Sequence, residues 1–91
     1  MRRLPSLAAI EAFVQVARLG SIKAAAEELS LSSPALSRRI QTLEAFVGRP
    51  LFDRGHQSIR LNESGEELME LVVDPIGALG DAIETMTSRD H

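Results

Sequence analysis

Residues 21–48 read Ser-Ile-Lys-Ala-Ala-Ala-Glu-Glu-Leu-Ser-Leu-Ser-Ser-Pro-Ala-Leu-Ser-Arg-Arg-Ile-Gln-Thr-Leu-Glu-Ala-Phe-Val-Gly. Their punctuation predicts two capped helices joined by a tight turn. Gly20 ends a preceding helix, and Ser21 is placed to accept a bond from a free N–H in the first turn of the next. Ile22, Ala25, Ala26 and Leu29 then recur at i, i+3, i+4 and i+7, one apolar face of a two-turn helix whose alanines let another helix cross it closely. Leu29-Ser30-Leu31 makes the turn. Ser32 or Ser33 caps the second helix, with Pro34 in the first turn where its missing N–H costs nothing, and Gly48 and Pro50 stop it. This is the sequence form of a helix-turn-helix.

The second helix has two distinct faces. Leu36, Ile40, Leu43 and Val47 lie within an arc of roughly 60° at about 100° per residue, which marks them as the buried stripe. The opposite face carries Pro34, Arg38, Gln41 and Ala45, with Ser37 and Thr42 on its shoulders. A face needing only solubility would carry Glu and Lys; small hydroxyls with one Arg permit close approach to phosphates and base edges. Arg39 points to the side, toward a salt-bridge role with Glu44 or Glu27.

Outward from this pair, Ser6 is placed to cap a first helix in which Leu7, Ile10, Phe13, Val14 and Ala17 share a face. Leu51-Phe52-Asp53-Arg54 and Ser58-Ile59-Arg60-Leu61 are short extended segments around Gly55-His56-Gln57, a hairpin that would form a wing. Asn62 is placed to cap a last helix, whose early Glu63, Glu66 and Glu67 suit the positive end of its dipole. Along it, Leu68, Val72, Leu79, Ile83 and Met86 form one apolar stripe, and Met69, Val73 and Ile76 a second. Two stripes imply two neighbours, so the reading is a homodimer built on the first stripe. Pro75, with Gly77 and Gly80 beyond it, predicts a kink and two helical halves.

Composition narrows the function classes. The 91 residues suffice for one small domain, which at this size buries about 60 to 65% of its unfolded surface. There is no cysteine, which excludes disulfides and thiolate chemistry. The net charge of −3 conceals a division: residues 1–62 hold nine Arg and Lys against five acids, a net of +4, and residues 63–91 hold one against eight, a net of −7. Only the head suits phosphates. His56 and His91 are too few and too far apart for a metal site. The glutamates of the last helix have solvent-face spacing, and no nucleophile, base and orienter set or cofactor motif accompanies them, so neither an enzyme nor a cofactor is expected. No apolar run suits a signal peptide or membrane span, and a cytoplasmic, nucleoid-associated protein is expected.

A wider pattern combines these pieces. Ala24-Ala25-Ala26-Glu27-Glu28-Leu29, Ser33-Pro34-Ala35-Leu36-Ser37-Arg38 with Ile40 and Leu43-Glu44, Gly48-Arg49-Pro50-Leu51-Phe52-Asp53-Arg54, and Leu61-Asn62-Glu63-Ser64-Gly65 together resemble the LysR-type transcriptional regulators, from about Leu4 to Met86. The resemblance implies a mainly α winged helix-turn-helix over 1–62 and a linker and dimerisation helix over 63–91. It implies double-stranded DNA as partner, the helix from Ser33 in the major groove and the wing near the minor groove. It places Ser33, Pro34, Ser37 and Arg38 at positions that contact DNA, and Arg54 at the wing arginine. The family usually has Gln where Ser33 stands, and Ser makes a shorter, less discriminating base contact. An effector-binding domain normally follows, so the chain reads as an excised or truncated DNA-binding domain, a small-molecule effector acting only through that absent domain. Gln41 and Thr42 complete the expected contact set. The competing reading is a winged-helix protein-interaction module without DNA affinity.

Overall fold

The computed structural model describes residues 4–55 and 58–89. Its order is α1 (Leu7–Leu19), α2 (Ile22–Glu28), α3 (Ser33–Val47), β1 (Phe52–Arg54), β2 (Ile59–Leu61) and α4 (Glu63–Ser88). This is the winged helix-turn-helix architecture, followed by one long helix.

Each helix starts where a short polar side chain accepts a first-turn N–H. Ser6 Oγ bonds Ala9 N–H at 3.1 Å, Ser21 Oγ bonds Ala24 N–H at 3.0 Å, Ser32 Oγ bonds Ala35 N–H at 3.2 Å, and Asn62 Oδ1 bonds Gly65 N–H at 2.8 Å. Ser32 is therefore the cap of α3, and Ser33 is its first helical residue. Gly20 and Gly48 close α1 and α3 in the left-handed region, at φ 64° and 89°. The turn after α2 does the same with a non-glycine: Ser30 sits at φ 56°, which lets Leu31 N–H reach back to Ala26 O at 2.8 Å. That bond closes the turn that leads from α2 into α3.

The core lies where α1, α2 and α3 meet, and Phe13, Val16, Leu36, Ile40 and Leu43 are buried in it with Ala9, Ala12, Ala25 and Ala26. The small residues on α1 and α2 permit the close helix approach anticipated from the alanine run. The antiparallel wing pairs Phe52 with Leu61, Asp53 with Arg60 and Arg54 with Ile59. It closes the open side of the core with Leu51, Phe52 and Ile59, the Phe52 ring tilted against Phe13 at 5.5 Å between centroids.

Three expectations are corrected. On α1 the covered face is Ala9, Ala12, Phe13 and Val16; Ile10 and Val14 lie at its margin, and Leu7 is 50% exposed. The helix is apolar around much of its circumference, so periodicity alone did not select the face; packing against α2 and α3 did. On α3 the buried stripe stops at Leu43, and Val47 is 40% exposed because the last turn runs beyond the core. The last helix is continuous through Pro75 rather than two halves. Proline removes a single backbone donor, and the bonds on either side keep the segment helical.

Candidate nucleic-acid interface

The candidate surface is built by anchoring one face of α3 and presenting the other. With Leu36, Ile40 and Leu43 buried, Pro34, Arg38, Gln41, Thr42 and Ala45 are exposed on the opposite side, and Ser33 and Ser37 are half-buried on its shoulder. Because Ser32 performs the capping, the Ser33 side chain is not committed to that role. Thr42 is partly committed: its hydroxyl donates to Arg38 O at 2.9 Å, leaving it an acceptor unless that bond opens. Arg38, Arg39 and Thr42 line a hollow shared with the cap Ser6, with Ala9 of α1 and with Ala35, so the cationic edge of α3 faces the start of α1.

The wing adds a second cationic position. Arg54 and Ile59 are paired, and with Phe52 and Leu61 they occupy the same side of the ribbon; Asp53 and Arg60 occupy the other. Arg54 thereby turns toward the corner between α1 and α2. There it lines a hollow with Gly20, Ser21, Ile22, Lys23, Gly55, Ser58 and Ile59, and no acid lines it among the described residues. Lys23, an exposed cation at the start of α2, is a member of this surface that sequence reasoning missed, because nothing in its local pattern says it will meet a residue from the wing. The wing tip at His56 and Gln57 lies outside the described residues.

The last helix divides its apolar residues between two tasks. Leu68, Met69 and Val72 are half-buried against the chain's own core. Farther along, Leu79, Ile83 and Met86 are 53%, 68% and 59% exposed, and Ile76, Leu79, Gly80 and Ile83 form an open apolar groove with Leu7 and Glu11 of α1. The stripe read as one dimerisation surface is thus intramolecular in its first turns and exposed in its last. Among the described residues no group of three or more His, Cys, Asp or Glu is placed to hold a metal, and no helix is long and apolar enough to cross a membrane.

The fold as a whole has counterparts in known proteins. Residues 7–66 match the family model described as bacterial regulatory helix-turn-helix protein, lysR family. The chain belongs to that family. Over 85 residues it is 41% identical to the HTH-type transcriptional regulator TrpI of Pseudomonas aeruginosa, covering 93% of this chain and 26% of that protein. An OxyR mutant from Corynebacterium glutamicum has the same fold at a TM-score of 0.89, with 25% identity, over all of this chain and 29% of its own. The DNA-binding domain of BenM, solved with benA site 1 DNA, superposes at a TM-score of 0.81 with 29% identity, covering 94% of this chain and 99% of that one. The chain therefore has the extent of a LysR-type helix-turn-helix domain and spans less than a third of the longer relatives.

Proposed function

We propose that this chain binds double-stranded DNA sequence-specifically as a homodimer, reading an inverted repeat with one α3 in the major groove of each half-site. The observation that carries the reading is the exposed face of α3: Pro34, Arg38, Gln41 and Thr42 project into solvent from a helix anchored on its opposite side by buried Leu36, Ile40 and Leu43. Rigid presentation of an Arg, an amide and hydroxyls is what base-edge and phosphate contact require. Ser33 and Ser37 flank that contact, and Arg54 with Lys23 supplies backbone contacts beside it. The solved complex of the BenM domain with DNA supports the assignment by likeness. Its action is positioning, not catalysis, with no cofactor, and its place is the cytoplasm with the nucleoid.

Residues 1–62 are the DNA-reading unit and 63–91 the linker. Leu79, Ile83 and Met86 form the partner-facing stripe, with Leu68 and Val72 setting the angle at which α4 leaves the core. In the productive dimer the two α3 helices lie about 34 Å apart, one turn of DNA. A small-molecule effector acts through a domain beyond this chain, as the family resemblance implies.

The test is binding to duplexes selected from random DNA, titrated across salt. Specific DNA binding weakens with a slope of about −0.9 per phosphate neutralised. Retention of no duplex, together with salt-insensitive capture of a protein partner, would favour the interaction-module reading instead.

A further inference from the structure

We propose that Glu44 is a positioning residue which fixes the angle between α3 and α4, and thereby the half-site spacing that the dimer accepts. The proposal rests on the dimeric DNA-binding reading above. Glu44 lies in the last turn of α3, where the carbonyl end of the helix disfavours an acid. Its Oε2 accepts the Leu51 N–H at 2.7 Å, in the short range of charge-assisted bonds, while its own carbonyl accepts from Gly48 N–H at 2.8 Å and Arg49 N–H at 3.1 Å. One residue thus ties down the whole exit from α3.

The connection continues into the linker. Leu51 is 1% exposed, and its carbonyl accepts the Asn62 N–H at 3.0 Å. Asn62 Nδ2 donates to Pro50 O at 3.0 Å while its Oδ1 caps α4 through Gly65 N–H. The packing of α3 is chiefly on α1 and α2, and that of α4 on α1 and β2. The polar route Glu44–Leu51–Asn62 therefore joins the helix that reads DNA to the helix that carries the partner stripe. At 1.5 Å per residue α4 is about 39 Å long, so a tilt of roughly 10° at Asn62 moves its far end by about 7 Å. That is about two base-pair steps, enough to select one spacing over another.

The experiment takes the half-site selected from random DNA by the wild-type chain and presents it alone, and as inverted pairs at every spacing across one helical turn. Wild type is expected to prefer one spacing about tenfold over pairs two steps away. Glu44→Ala should keep half-site affinity within about twofold yet flatten the spacing preference to about threefold or less, and Glu44→Gln, which retains an acceptor oxygen, should restore it. Asn62→Asp keeps the cap but replaces the Nδ2 donor to Pro50 O with a carboxylate oxygen, and should broaden spacing in a domain that still folds, which serves if Glu44→Ala does not fold. An unaltered optimum in the folded variants, or half-site and pair affinities falling in parallel, overturns the proposal alone. Wild type binding a single half-site as tightly as every pair overturns the dimeric reading and the proposal with it.

Discussion

The backbone carbonyl of Leu51 occupies the space that a β-carbon on Gly65 would need, with the Leu61 side chain 2.8 Å from the same point. The first turn of α4 is seated directly on the segment that leads into the wing. Gly65→Ala should therefore destabilise the domain by about 2 to 3 kcal/mol, since the clash is with backbone that the Glu44 and Asn62 bonds hold in place. Gly77 is the control: its β-carbon would meet nothing within 4 Å. Gly77→Ala should raise stability by about 0.5 to 1 kcal/mol through helix propensity. Denaturant midpoints of the two variants moving the same way would contradict this seating.

Ser30 supplies the second stability prediction. A left-handed conformation costs an L-residue about 1 to 2 kcal/mol, and glycine gives back about 0.5 to 1 kcal/mol of that in unfolded-state entropy. Ser30→Gly should thus stabilise by about 0.5 kcal/mol, seen as a higher thermal midpoint with DNA affinity unchanged. A lowered midpoint would show that the serine makes a contribution the turn geometry does not require.

Arg38→Ala should weaken specific binding by about 1 to 3 kcal/mol without loss of fold, because the residue lies opposite the Leu36 and Ile40 anchor. Titration against the selected duplex measures this, and single-base variants of that duplex distinguish the two modes of contact. Relaxed preference at one position means base reading; a uniform loss means phosphate. Unchanged affinity removes Arg38 from the interface.

Lys23 and Arg54 line one hollow, so their effects should interact. Each alanine variant is expected to flatten the salt slope by about 0.9 per half-site, and the double variant by less than the sum if both cations face one phosphate. Strict additivity would place them on separate phosphates. Slopes equal to wild type would take the wing corner off the DNA.

Ile83→Glu tests the far end of α4. Burying Leu79, Ile83 and Met86 against a partner gains about 1.5 to 3 kcal/mol per side chain before association costs, and a carboxylate in that seam reverses the gain. Sedimentation should show a wild-type dimer and a folded monomeric variant that binds the inverted repeat much more weakly. A monomeric wild type at high micromolar concentration would refute the assignment of this stripe.

Sequence by itself determined the elements and most of the exposed face of α3 that is proposed to meet DNA. Ser6, Ser21 and Asn62 act on N–H groups three residues away, and Gly20 and Gly48 act on the turn they occupy, so the information is local and readable in order. The outward direction of Arg38 followed from the Leu36, Ile40 and Leu43 stripe for the same reason. Tertiary structure alone decided what depends on residues distant in the chain. It chose the buried face of α1, brought Lys23 to Arg54, set Glu44 on the Leu51 N–H, and divided the α4 stripe so that Leu68 and Val72 serve the chain's own core while Leu79, Ile83 and Met86 stay open. Periodicity reports that a face is apolar; only the shape of the neighbouring surface decides what, if anything, covers it.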